Sequence, residues 1–281
     1  MLTLTDLYIY PVKSLGGIRV QEAEVTARGL RHDRRWLLVD ERNRFMTQRQ
    51  NDDMALLDVA PAHNGFLLTH RQRPALLPLY IPFEAKSKHT LFVTIWDDVV
   101  WAWRGSKAAD EWLSEALGQP VKLVYMSDMA CRATEPEHNP VEELVSFADG
   151  YPFLLVTEAS LAGLNERLLE CQAEPVGLDR FRPNLVVGGA RPDEEAGWHQ
   201  LHIGGLPFRA VRGCGRCTVT TIDQQTALKN PLNEPLRTLA TYRREGSSIV
   251  FGQNTTGPGH GTLRVGDEVR VLSHKSGTPN D

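Results

Sequence analysis

The sequence has little cysteine, no long apolar run and no marked excess of either charge. Its four cysteines, Cys131, Cys171, Cys214 and Cys217, are too few and too unevenly spaced for a disulfide framework. The start lacks the basic residues and apolar stretch of an export signal, so a reducing cytoplasm is the expected compartment. No apolar run approaches the ~20 residues of a membrane span, and no membrane contact is expected. Thirty-one basic against 35 acidic residues give a net charge of −4, which leaves no basic field to gather nucleic acid. There is no Walker A loop, no GxGxxG fingerprint opening a helix and no GxSxG elbow, which argues against nucleotide hydrolysis and serine hydrolase chemistry. No second CxxC or HxxxH completes a structural zinc set with Cys214 and Cys217. None of the nine histidines stands in a general-base pattern, and His32 and His260 read as solvated loop residues.

What is present is a succession of short strands. At 281 residues the chain has room for roughly two domains. Alternating or β-branched runs predict strands over 4–10, 17–25, 36–40, 66–69, 91–95 and 99–103, with a hairpin turn at Asp97-Asp98. Ser106 is expected to cap a helix with Ala109, Trp112, Leu113, Ala116 and Leu117 on one face, stopped at Gly118. Residues 127–148 carry Pro136 and Pro140 without a clear period and read as a long connecting or lid loop. Thr157 caps a second helix, bearing Leu161, Leu164 and Leu168, to about Glu170. Strands return over 185–187, 201–203, 208–211, 217–222, 249–252 and 265–272, with a short helix from Pro235 to about Tyr242. The expected fold class is α+β and β-rich, in two units divided at 1–120 and 121–273, with 274–281 a disordered tail.

Residues 213–223, Gly-Cys-Gly-Arg-Cys-Thr-Val-Thr-Thr-Ile-Asp, set two thiols three positions apart with Arg216 beside the second. The Val219–Ile222 run favours extended backbone, so Cys217 is expected where a turn enters a strand and not where a helix begins. A bound metal or Arg216 could stabilise its thiolate; the plain alternative is two small buried residues. Three other stretches suit anions. Residues 10–17 offer Lys13, Ser14 and the flexible pair Gly16-Gly17 at a strand end; Asp33-Arg34-Arg35 precedes a strand; Phe181-Arg-Pro-Asn184 sets a guanidinium beside an amide. Taken singly, each reads as an ordinary surface ion pair or turn lysine.

Taken together, Tyr10-Pro-Val-Lys-Ser14, Asp33-Arg34 before Trp36, Phe181-Arg-Pro-Asn184 and Gly215–Asp223 resemble the family of the molybdenum cofactor sulfurase C-terminal (MOSC) domain. The likeness is greater to its branch of mitochondrial amidoxime-reducing components and bacterial hydroxylaminopurine-resistance proteins. Phe147-Ala-Asp-Gly-Tyr-Pro-Phe153, Glu158-Ala-Ser-Leu161, Phe251-Gly-Gln-Asn254 and Arg264-Val-Gly-Asp267 fit it too, so the likeness runs from about residue 4 to 272. It implies an N-terminal MOSC β-barrel-like domain, then a MOSC β-barrel domain, with a molybdopterin-type molybdenum cofactor between them. Cys217 would be the catalytic, metal-ligating thiolate and Cys214 a neighbour without that duty. Lys13, Ser14 and Arg34 would hold the pterin phosphate, Arg182 and Asn184 would contact the cofactor, and Gly150, Tyr151, Gly215 and Arg216 would line the same cleft. Gly150 and Gly215 offer only backbone groups for this.

The implied activity is reduction of N-hydroxylated compounds, namely hydroxylamines, N-hydroxylated nucleobases or amidoximes. Electrons would come from a separate ferredoxin-like or flavin-dependent donor, because no cysteine follows Cys217 to build a plant-type iron–sulfur cluster. The alternative is a cofactor or sulfur carrier without redox turnover. On this reading, removing Arg34 weakens cofactor retention while barely changing the melting of the cofactor-free protein.

Overall fold

The computed structural model describes residues 1–87, 89–134 and 143–275. Its centre is a closed seven-stranded barrel. The ring runs Phe153–Thr157, Leu185–Gly188, Leu2–Ile9, Glu268–His274, Trp198–Ile203, Leu206–Gly215 and Ser248–Thr256, and the last strand pairs back onto the first. Leu2–Ile9 thus lies among strands from the other end of the chain. A register shift between Leu4 and Asp6 turns the strand locally, so that Leu4 and Leu7, three positions apart, are both fully buried in one core with Trp198, Leu201 and Phe208. Phe153–Thr157 and Leu185–Gly188 are parallel, which requires a crossover, and Glu158–Glu170 supplies it as a helix capped by the Thr157 hydroxyl.

Outside the barrel, Trp36–Val39, Lys122–Tyr125, Asp98–Arg104 and Thr90–Ile95 form a four-stranded sheet. All four residues of Trp36–Val39 are buried, because its two faces pack against different clusters, Trp36 and Leu38 in one and Leu37 and Val39 in the other. The helix Lys107–Leu117 follows, with Ser106 accepting the Ala109 N–H and Gly118 in the left-handed region at φ 66°. Leu57–Ala62, Gly65–His70 and Leu79–Pro82 make a three-stranded sheet, and Glu22–Thr26 pairs with both Gly29–Leu30 and His260–Arg264.

Several expected elements take a different form. The hairpin turn falls on Trp96-Asp97, with Trp96 at φ 54°, one position before Asp97-Asp98. The expected strand 217–222 is instead a short 3-10 turn, Thr218–Thr221. There the Thr220 hydroxyl bonds the Cys217 carbonyl at 3.0 Å and the Thr221 hydroxyl bonds the Thr218 carbonyl at 2.7 Å. These local bonds compete with a strand ladder and override the β-branched preference. His274 ends a strand, paired with Trp198, and Lys275 donates its N–H to the Gly197 carbonyl, so both are held in the fold and not in the tail expected from 274. Residues 276–281 of that tail, and 135–142 of the loop expected over 127–148, lie outside the described residues.

Candidate functional site

One cavity between the barrel and the preceding sheets is lined by Lys13, Ser14, Arg34, Gly150, Tyr151, Arg182, Asn184, Gly215, Arg216 and Cys217, the ten residues singled out in the sequence. They arrive from five separate segments of the chain. Lys13 and Ser14 follow Leu2–Ile9, Arg34 precedes Trp36–Val39, and Arg182 and Asn184 precede Leu185–Gly188. Arg216 and Cys217 follow Leu206–Gly215. The segment carrying Asp149, Gly150 and Tyr151 is clamped by buried Arg132, which donates to the carbonyls of Ser146 at 3.0 Å, Ala148 at 2.6 Å and Asp149 at 2.7 Å.

The floor is a cationic cradle built around Tyr10. The guanidiniums of Arg34 and Arg182 both stack on its buried ring, 4.3 Å and 4.4 Å from the centroid. A Cβ at Gly17 would stand 2.5 Å from that ring, and Gly16 abuts the backbone of Leu57 and Val59. Neither glycine lines the cavity, so this pair serves packing and not the anion cradle expected of it. Asp33 is buried and accepts the Tyr10 N–H at 2.8 Å, Arg34 Nη1 at 2.8 Å and Asn184 Nδ2 at 3.0 Å. Arg34 also donates to Asn184 Oδ1 at 2.8 Å and to the Arg182 carbonyl at 3.1 Å. By contrast, Arg182 Nη2 is buried with no hydrogen-bond partner among the described residues.

Charge in the cavity is unbalanced. Lys13, Arg34, Arg49, Arg182 and Arg216 line it against the single carboxylate of Asp149. Burial, with Arg132 and Arg34 nearby, pushes Lys13 down to about 8 although Asp149 is bonded to it. Burial and Arg34 likewise lower Arg182 to about 10. Desolvation raises Asp149, but Lys13 and Arg49 outweigh it and hold the carboxyl well below the usual range. Ser14, Arg34 and Arg182 all have left-handed backbones, at φ 67°, 47° and 58°. Such strain costs about 1–3 kcal/mol per residue and concentrates where a fold holds side chains for a ligand. Buried cations, one with an unmet donor, are what an anionic group would satisfy.

Cys217 is half-buried and precedes the 3-10 turn with an extended φ of −122°. Its sulfur accepts a hydrogen bond from Arg49 Nε at 3.2 Å. Arg216, the neighbour expected to serve that sulfur, instead places Nη1 3.0 Å from Cys214 Sγ and donates to the Phe181 carbonyl at 2.9 Å. Among the described residues no group of three or more His, Cys, Asp or Glu side chains is placed to hold an ion. His32 is not simply solvated: it stacks on Phe83 at 3.9 Å, and burial, with Arg31 and Arg35, pushes it down to about 4.

Arg49, Thr47, Asp149 and Asn254 also line the cavity and carry no role in the sequence reading. Asp149 and Asn254 stand inside stretches that fit the family resemblance. Arg49 sits in the polar run Thr47-Gln-Arg-Gln50, which has no distinguishing pattern.

Two family models match this chain: the MOSC N-terminal beta barrel domain over residues 1–120 and the MOSC domain over 142–270. The chain is 33% identical to mitochondrial amidoxime-reducing component 1 of Homo sapiens, with 96% of this chain and 83% of that protein covered. The same-named protein of Xenopus laevis is 31% identical, covering 97% and 82%. A molybdenum cofactor sulfurase of Solanum lycopersicum is 31% identical over 95% of this chain but only 35% of its own length. With both domain models and a likeness over most of both chains in agreement, the chain belongs to the MOSC family, in the branch of the amidoxime-reducing components.

Proposed function

We propose that this protein binds a molybdenum cofactor and reduces N-hydroxylated compounds. The observation that carries the reading is the cavity itself, where five cations and one carboxylate surround a single accessible thiol pair and Arg182 Nη2 has no partner. Lys13, Ser14, Arg34 and Arg182 would hold an anionic phosphate, Asn184 would fix Arg34, and Cys217 would give the metal a soft thiolate. The bound cofactor would supply two-electron reduction of the N–O bond. Asp149 is held ionised at neutral pH, so its part is to keep Lys13 charged and not to donate a proton. Electrons would come from a separate ferredoxin-like or flavin-dependent protein. No described helix is long and apolar enough to cross a membrane, and four free thiols support a reducing compartment such as the cytoplasm, although the curated relatives are named mitochondrial.

The sulfurase likeness favours a second reading, a carrier that passes on cofactor or sulfur without turnover. Metal analysis and oxidised-pterin fluorescence of the purified protein, followed by turnover of a hydroxylamine and an amidoxime with an artificial one-electron donor, separate the two. Molybdenum, pterin and turnover together support the reductase. Cofactor without turnover supports the cofactor carrier, and neither metal nor pterin overturns the reductase and the cofactor carrier and leaves only the sulfur carrier.

A further inference from the structure

The turn that carries Arg49 is pinned through the two residues before it. The Arg49 N–H bonds the Thr47 hydroxyl at 3.1 Å, and buried Gln48 is tied to Gln224 and to the Ser14 carbonyl. Its guanidinium then meets three groups from three other segments. Nε lies 3.2 Å from Cys217 Sγ, the central carbon lies 4.5 Å from the centre of the Trp96 ring, and Nη2 lies 3.9 Å from Asp149 Oδ2. Trp96 is itself held against Phe45 at 4.9 Å, on the left-handed turn at the hairpin tip. A bulky residue at φ 54° is uncommon in such a turn, where glycine or asparagine adopts that conformation freely. The turn sets the Trp96 indole against the guanidinium, which presents its Nε–H to the sulfur.

We infer that Arg49 is a positioning residue for Cys217, that it sets how much electron density the sulfur gives a bound metal, and that Trp96 supports it in this. The inference rests on the cofactor-binding reading above. A thiolate that accepts an N–H bond beside a positive charge donates less to its metal, which favours the reduced state and raises the reduction potential. Lysine would keep the charge but neither the fixed Nε–H nor the flat stack.

The test is made on the cofactor-loaded protein with Arg49→Gln, Arg49→Lys, Trp96→Ala and Trp96→Phe. Metal and pterin content, the midpoint potential of the metal, and kcat and KM for hydroxylamine are measured. Arg49→Gln is expected to keep its metal, move the potential downward and lower kcat about tenfold with KM little changed. Arg49→Lys is expected to fall between Gln and wild type, Trp96→Ala to shift the same way by less, and Trp96→Phe to match wild type. An unmoved potential in Arg49→Gln overturns the inference and leaves the functional reading standing. So does metal loss in both Arg49 variants as complete as in Cys217→Ser, since Arg49 would then hold the site together and not tune it. A wild type with neither metal nor pterin overturns the functional reading and this inference together.

Discussion

Gln48 and Gln224, 176 residues apart, exchange two hydrogen bonds: each Nε2 donates to the other's Oε1 at 3.0 Å. Gln48 Nε2 also donates to the Ser14 carbonyl at 2.8 Å, and Gln224 Nε2 to the Ile222 carbonyl at 3.2 Å. The pair therefore ties the turn of Arg49 and the loop of Ser14 to the segment that follows Cys217.

Replacing either amide by leucine strands its partner in a buried site. Leaving one such group unsatisfied costs about 1–3 kcal/mol. Gln48→Leu and Gln224→Leu should each lower stability by that order, and the double variant should lose less than the sum. Chemical denaturation of the four proteins measures the coupling, and strict additivity would show that the two amides do not depend on each other.

The two thiols should separate on substitution. Cys217→Ser should fold normally, yet lose molybdenum and reductase activity, because an alcohol is a poor substitute for a soft thiolate. Cys214 is held by Arg216 and packs beside Phe181 and Phe251, so Cys214→Ser should keep most of both. Metal analysis beside turnover checks the ranking, and the reverse order would reassign the ligand.

Arg34 and Arg182 differ in a way that only the folded contacts reveal. The sequence reading predicts that removing Arg34 leaves the cofactor-free protein's melting nearly unchanged. The folded contacts argue for a different outcome, because Arg34 neutralises buried Asp33 and bonds Asn184. Arg34→Ala should therefore lower both cofactor retention and the melting temperature, since it leaves a buried carboxylate unpaired. Arg182→Gln removes a half-buried cation whose buried Nη2 has no partner among the described residues, so it should weaken retention roughly tenfold to a hundredfold, the equivalent of a charge-assisted bond of about 1.5–3 kcal/mol, with melting little changed. Equal pterin content in Arg182→Gln and wild type after dialysis would exclude Arg182 from the site.

The sequence carried the strand-rich fold and the stretches that converge on the cavity, because turn residues and basic motifs are local signals. It did not carry features decided by contacts across the chain. Phe153–Thr157 went unseen as a strand because Phe153 and Leu155 face one core while Leu154 and Val156 face another, which erases the alternation a half-exposed strand shows. Arg49 was invisible for the same reason: its meaning comes from a sulfur 168 positions away. The Thr218–Thr221 turn escaped because β-branched residues favour strands on average, while threonine hydroxyls can cap nearby carbonyls.

Lys13 should make cofactor retention depend on pH. Its ammonium is pushed down to about 8, from the ordinary value of 10.5, chiefly by burial and then by Arg132 and Arg34, with Asp149 opposing. An anion binds best to the charged form. Retention should be level below about pH 8 and weaken above it by up to tenfold per unit, until the pKa that the bound anion itself raises is passed. The folding effect has the opposite sign. With the folded pKa below the unfolded one, the unfolded chain binds more protons between these values, so the cofactor-free protein gains stability from this group as pH rises from 8 towards 10.5. Pterin retained after dialysis at stepped pH, with melting of the cofactor-free protein measured in the same buffers, reads both. Lys13→Arg should hold retention level across the range because guanidinium stays charged, whereas Lys13→Met should bind weakly at every pH. A decline in Lys13→Met as steep as in wild type would place the titrating group elsewhere.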